Sequence, residues 1–191
     1  TKVVVVPIWK EDAEMAAMKQ KAADLTRDWK GRITYKIDDR DQYRPGYKFN
    51  EWEKRGVPIR IEMGSKDVAQ NQVIVVRRDS GEKMAVPQEG LLATIELLLE
   101  KMQKDLYARA LRNRDANTFT CDEYKELIER LESPGGFFWV HWCGQAACEE
   151  KFQQDAKATI RLQPIEGGGA PGACIVCGGR SGQRVLVAKS Y

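Results

Sequence analysis

Four of the five cysteines fall into two close pairs. Cys143 and Cys148 have four residues between them, Cys174 and Cys177 have two, and 25 residues separate the pairs. A pair spaced this closely can chelate one ion from a tight turn, and four thiolates complete a closed tetrahedral Zn²⁺ site. A site with no open position holds structure and activates no water. In an oxidising compartment the same four could instead pair as disulfides, or they could stay free thiols; the spacing favours the metal. His141, the only histidine, lies two residues before Cys143 and could replace one ligand. Its place in the aromatic run Phe137-Phe-Trp-Val-His-Trp142 fits a packed core residue better. Cys121 stands alone and reads as an inert, buried thiol in the first turn of a helix.

A second constellation lies between Arg44 and Asp67. Pro45-Gly46 supplies turn chemistry, because proline presets φ and glycine accepts the positive φ that follows. Tyr47 to Arg55 can wind into a short helix with Phe49 and Trp52 on one side. Gly56 ends it, and Pro58-Ile-Arg-Ile-Glu-Met63 alternates as a half-buried strand does. Ile59, Ile61 and Met63 then point one way, with Arg60 and Glu62 on the other face. This scaffold can place Glu53, Arg60 and Lys66 on a shared surface, able to donate to and accept from a polar ligand. On pattern alone, a solvated charged face is the favoured reading.

The chain offers little else of catalytic type. A cysteine nucleophile needs a base, and only His141 is available. There is no Ser-His-Asp set, Walker sequence or dinucleotide fingerprint. Gly167-Gly-Gly-Ala-Pro-Gly172 lacks the Lys-Ser/Thr ending of a phosphate loop and opens no helix, so it reads as a linker.

The elements that must position these residues are legible in order. Val3 to Pro7 is a β-branched run expected of a strand buried on both faces. Met15, Met18, Ala22, Leu25 and Trp29 form one stripe on one helix. Arg32 to Asp38 alternates with Ile33, Tyr35 and Ile37 inward, so strand, helix and strand are expected to make a βαβ crossover with parallel strands. Gln72 to Arg77 and Glu82 to Val86 flank Asp79-Ser-Gly as a hairpin, leaving Lys83 exposed just past the turn. Glu89 to Asn113 is the longest helix, burying Leu91, Ile95, Leu98, Met102 and Leu106. Its last turns carry Arg109, Arg112 and Arg114, suited to the helix dipole or to phosphate. Thr120 and Glu123 have capping-box spacing, with Phe119 and Tyr124 as a hydrophobic staple, predicting a helix start there. A strand through Phe137–Trp142, a helix over 147–156, and strands over 159–163 and 184–188 follow. The net charge is only +3, so any nucleic-acid role must rest on a local patch. No apolar run reaches membrane-spanning length, and no export signal opens the chain.

The run Pro45-Gly-Tyr-Lys-Phe-Asn-Glu-Trp-Glu-Lys-Arg-Gly-Val-Pro-Ile-Arg-Ile-Glu-Met-Gly-Ser-Lys-Asp67 resembles the anticodon-binding domain of class II prolyl-tRNA synthetases of archaeal and eukaryotic type. The resemblance spans the chain, through the four cysteines to a terminal tyrosine. It implies an α/β fold: a mixed five-stranded sheet flanked by helices, the class IIa anticodon-binding fold, over residues 1–118. A small α+β zinc-binding domain is implied over 119–191. It further implies that Glu53, Arg60 and Lys83, with Lys66 close by, read the two guanines shared by proline anticodons. Cys143, Cys148, Cys174 and Cys177 would hold structural zinc, and the carboxylate of Tyr191 would reach towards the catalytic site. The implied partners are the tRNA(Pro) anticodon loop and the catalytic domain of the same polypeptide, in a homodimeric, cytoplasmic enzyme. That catalytic domain, with its ATP and Mg²⁺, precedes this region in the family, so residues 1–191 alone are expected to be inactive as a ligase. A free-standing anticodon-domain protein, binding RNA or a partner without ligase activity, is the competing expectation.

Overall fold

The computed structural model describes residues 1–166 and 168–189. Tyr191 lies outside the described residues, and its implied role is left as an expectation. The chain divides into two compact units, Thr1–Tyr107 and Ala108–Tyr191.

The first unit is a five-stranded mixed sheet. Strand β1 (Val3–Ile8) leads to helix α1 (Asp12–Leu25), and strand β2 (Tyr35–Ile37) to helix α2 (Pro45–Lys54). Strand β3 (Ile59–Gly64), the short helix α3 (Ser65–Ala69) and strands β4 (Gln72–Arg77) and β5 (Lys83–Pro87) follow, before helix α4 (Leu91–Ala116). The strand order is β2-β1-β3-β4-β5. β1 pairs parallel with β2 and β3, and β3-β4-β5 is an antiparallel meander. Since β2 and β3 flank β1 on opposite sides, two right-handed crossovers place α1 and α2 on opposite faces. Met18 and Ala22 of α1 and Leu91, Ile95 and Met102 of α4 pack with Val3, Val5, Ile59, Ile61 and Met63 on one face. Trp52 of α2, with Phe49 beside it, packs with Val4 and Val6 on the other. The four valines of β1 are wholly inaccessible, as a strand covered on both faces requires.

Two expectations change here. The α1 stripe does not stay on one helix: the Thr26 hydroxyl donates to the Ala22 carbonyl at 3.0 Å, and Trp29 reaches the core from a separate 3₁₀ turn, Arg27–Trp29. Leu106, placed on the buried face of α4, is 37% exposed, because by that turn the helix has passed the core that ends at Met102.

The second unit contains a four-stranded sheet of order β6-β7-β11-β8, formed by β6 (Thr118–Thr120), β7 (Phe137–His141), β8 (Ala158–Leu162) and β11 (Arg184–Lys189). Helices α5 (Tyr124–Glu132) and α6 (Ala146–Ala156) lie between β6 and β7 and between β7 and β8 in sequence. A two-residue pair, β9 (Gly172–Ala173) and β10 (Arg180–Ser181), completes it. Leu127, Leu131, Phe138, Val140, Phe152, Val185 and Val187 form its core. The expected helix start at Thr120 is displaced. Thr120 pairs in parallel register with Trp139, the Phe119 ring packs 5.6 Å from Phe138, and Glu123 is the N-cap of α5, with no side-chain cap bond. Strand pairing and aromatic burial outweigh a capping box, whose gain is about 1 kcal/mol. Cys121 therefore lies on the link before α5; it is 3% exposed, and burial raises its thiol pKa.

Candidate nucleic-acid interface and metal centre

Glu53, Arg60 and Lys83 come together although Glu53 and Lys83 are 30 positions apart in the chain. They line one small cavity, ≈ 110 Å³, with Trp52, Arg78 and Gly81. Glu53 comes from the last turn of α2, Arg60 from the face of β3 that α2 covers, and Lys83 from the first position of β5. The β3–β4–β5 register explains the convergence, since Arg60 lies opposite Val76, and Val76 opposite Lys83. Lys66 does not line this cavity. It is exposed on α3, past the far end of β3, and the four residues from Arg60 to Gly64 alone extend roughly 13 Å.

One further residue organises the cavity. Glu62, two positions along β3 from Arg60 and so on the same face, accepts from Arg60 Nε at 3.0 Å and from Lys83 Nζ at 3.2 Å. The Arg60 guanidinium also lies over the Phe49 ring, 4.3 Å from its centroid. Both cations are thus aimed by one carboxylate, and a ligand must compete with Glu62 for them. Period-2 alternation places Glu62 beside Arg60, but nothing local in the sequence marks it as the shared partner of Lys83.

Beneath α2 a buried network fixes the helix. Asp38 is 2% exposed and accepts from Arg40 Nε and Nη2 and from Trp52 Nε1, each at 2.7 Å. Burial alone would raise its pKa, but these hydrogen bonds prevail and bring it down to about 2. Arg40 also bonds Glu51 of α2, so Trp52, whose ring borders the cavity, is held from two directions.

The four expected cysteine ligands converge without any disulfide; all five cysteines are free thiols. The sulfurs of Cys143, Cys148, Cys174 and Cys177 lie within 4.8 Å of one another, with Cys143 3.6 Å from Cys148 and 3.7 Å from Cys177. A disulfide needs a separation of about 2.05 Å. Around one tetrahedral ion with metal–sulfur bonds of about 2.3 Å, neighbouring sulfurs stand about 3.8 Å apart. The cluster can hold a metal ion. Cys143 follows β7, Cys148 occupies the first turn of α6, and Cys174 and Cys177 sit on the turn that β9 and β10 clamp. The Gly179 amide donates to Cys177 Sγ at 3.4 Å, and the Ile175 amide ties the turn to the His141 carbonyl at 2.9 Å. Burial opposes ionisation of Cys174, but hydrogen bonds from the Cys177 and Val176 amides outweigh it and bring the thiol to about 7. Burial, together with the adjoining thiols, pushes Cys148 up to about 12. The four cannot all ionise without a cation among them.

His141 is not a fifth member of this group. It is buried, with Nδ1 3.3 Å from Ser181 Oγ, and its ring lies against Gly172, where an added Cβ would stand 2.4 Å from Nε2. It packs the turn that carries two of the ligands.

Residues 2–98 match the family model described as the anticodon binding domain, and residues 124–191 match that of the prolyl-tRNA synthetase C-terminal domain. The chain belongs to the anticodon-binding domain family. Its two matches follow the order of the C-terminal region of a prolyl-tRNA synthetase. A proline–tRNA ligase of Chloroflexus aggregans is 46% identical over 192 residues, covering 99% of this chain and 40% of the relative. Those of Roseiflexus castenholzii and Porphyromonas gingivalis are 42% and 38% identical, covering 100% and 99% of this chain and 40% and 38% of the relatives. The chain thus spans about two fifths of the length of the curated relatives it matches. The cavity that brings Glu53, Arg60 and Lys83 together lies within the residues matched by the anticodon-binding family, and no helix is long and apolar enough to cross a membrane among the described residues.

Proposed function

We propose that this chain is the RNA-reading and zinc-stabilised part of a proline–tRNA ligase, with residues 1–118 binding the anticodon loop of tRNA(Pro) and residues 119–191 forming the zinc domain. The observation that carries the reading is the cavity lined by one carboxylate, Glu53, together with the cations Arg60, Arg77, Arg78 and Lys83, within an anticodon-binding family domain. Guanine matches that set. Its N1–H and N2–H₂ donate to a carboxylate, while O6 and N7 accept from Arg or Lys. Anticodon bases are unpaired and can be splayed, so these edges are reachable. Lys66, some distance along the domain, is assigned to a neighbouring phosphate.

Zinc is the metal proposed for Cys143, Cys148, Cys174 and Cys177, since all-thiolate tetrahedral sets with no open position suit it structurally. Bound there, it would supply cross-linking of β7, α6 and the β9–β10 turn. Proline activation, with its ATP and Mg²⁺, is assigned to the remainder of a longer polypeptide of archaeal/eukaryotic type, acting as a cytoplasmic homodimer. The carboxylate of Tyr191 is assigned to that catalytic part.

Binding of anticodon stem-loops tests the reading. Arg60→Ala and Glu53→Ala should each weaken the proline loop by about 1–3 kcal/mol and unrelated loops far less. Equal wild-type affinity for proline and unrelated loops at moderate salt would defeat it.

A further inference from the structure

Helix α2 delivers Glu53 at one end, and its other end carries an unassigned surface. Tyr43, just before the helix, stacks on Tyr47 in its first turn, with ring centroids 4.5 Å apart and planes 16° from parallel. The Arg40 guanidinium lies over the Tyr43 ring at 4.8 Å. Both rings remain open to solvent, Tyr43 at 37% and Tyr47 at 53%. Aromatic side chains this exposed sacrifice burial of their ring faces, and no other ring or cation stacks on Tyr47 among the described residues.

Beside the pair is a crevice of ≈ 340 Å³ at the carboxyl end of β1, lined by Trp9, Tyr43, Arg44 and Lys48 among others. In an open sheet with parallel strands, ligands gather at such ends, where successive crossovers leave in opposite directions. Lys48 is 2% exposed. Its ammonium donates to the Asp38 carbonyl at 3.2 Å and lies 5.1 Å from the centre of the Trp9 ring. Arg44 is exposed and forms no ion pair among the described residues. The one acid in the lining, Asp41, is drawn to Lys19 at 3.9 Å. The crevice therefore presents one exposed cation, Arg44, next to a free aromatic face.

From Tyr47 to Glu53 the helix rises about 9 Å, and the exposed Asn50 lies between them. We infer that a second unpaired nucleotide of the RNA bound at Glu53 seats at the opposite end of α2, its base stacked on Tyr47 and its phosphate held by Arg44. Continuity with the base-reading cavity along one short helix and the match of aromatic face to cation commit this surface to single-stranded RNA. The inference rests on the proposed anticodon role, but it adds affinity where that role adds discrimination. Stacking tolerates any base, whereas edge recognition does not.

The two can be separated by binding of proline and unrelated stem-loops to the 191-residue chain, with an abasic site walked through the loop. Tyr47→Ala should weaken both RNAs roughly ten-fold and leave their ratio unchanged, while Tyr47→Phe stays near wild type. At one loop position outside the two guanines, the abasic RNA should bind wild type and Tyr47→Ala equally. Arg44→Gln should lower the salt slope by about 0.7. Wild-type affinity in Tyr47→Ala, or a penalty that persists at every abasic position, would overturn the inference while leaving base reading intact. Binding without any preference for the proline loop, but with the Tyr47 effect present, would overturn only the anticodon role. A chain that binds neither RNA overturns both.

Discussion

Replacing Glu62 by Gln should make the domain bind RNA more tightly and choose less well. In the free protein, Glu62 holds Arg60 at 3.0 Å and Lys83 at 3.2 Å. Arg60 and Glu62 are half-buried, while the Lys83 side chain is 56% exposed, so solvent screens the second pair more than the first. Pairs of this kind contribute up to about 1 kcal/mol each. An RNA that recruits both cations must give up as much as about 2 kcal/mol of pairing, equivalent to roughly thirty-fold in affinity. The glutamine retains an acceptor for one hydrogen bond but removes the charge. Fluorescence anisotropy with proline and unrelated anticodon stem-loops should therefore show general affinity rising by about five- to thirty-fold. The gain should be larger for unrelated loops, since cations no longer aimed by Glu62 find phosphate as readily as guanine. The salt dependence should steepen accordingly. Weaker binding to every loop, or sharper discrimination, would refute the idea that Glu62 restrains and aims these cations.

The remaining expectations concern stability. Asp38 titrates at about 2 in the folded chain against 3.8 as a free side chain, so its stabilisation is complete above pH 4 and is lost as the pH falls towards 2. The loss is about 2 kcal/mol, and urea unfolding between pH 5 and pH 2 should show an acid limb that Asp38→Asn flattens. Cys174→Ser should abolish stoichiometric metal, measured by elemental analysis, and lower the melting temperature of the second unit while the first still unfolds cooperatively. Retention of one tightly held zinc would contradict a four-thiolate site. Gly172→Ala, pressing a methyl group into the His141 ring, should destabilise the same unit by about 1–3 kcal/mol in thermal melts without altering RNA affinity.

How far the sequence discloses this molecule depends on how local each signal is. Strand β3 is legible because Ile59, Ile61 and Met63 alternate with Arg60 and Glu62, and the pattern needs no partner to be seen. The four cysteines are legible because ligand spacing is a property of the chain itself. Thr118–Thr120 misleads because its strand partners lie about twenty residues later at Phe137–Trp139, whereas the competing capping pattern is wholly local. The strands β9 and β10, two residues each, are too short to carry any period, yet they clamp the turn that bears Cys174 and Cys177. Grouping Glu53, Arg60 and Lys83 needed the resemblance to a family, since only the β3–β4–β5 register brings Lys83 beside Arg60. Lys66 is near Arg60 in number and apart from it in space for the converse reason: a strand moves away by about 3.3 Å at every residue. Asp38 gave no signal, because its partner Trp52 is fourteen positions away, on a helix that must first dock.

The mixed sheet also has a kinetic consequence. The meander β3-β4-β5 pairs neighbours through short turns, whereas the pairing of β1 with β3 joins segments more than fifty residues apart. Contacts between nearby residues form before distant ones, because less loop entropy must be lost first. The cavity draws Lys83, Arg78 and Gly81 from the meander but Trp52 and Glu53 from the crossover that precedes β3. A nascent chain that has formed only the meander therefore carries the cations and Glu62 but lacks Glu53, the carboxylate proposed to select among bases. Selectivity for RNA should emerge late in folding, with the parallel half of the sheet, and an arrested intermediate would bind polyanions indiscriminately.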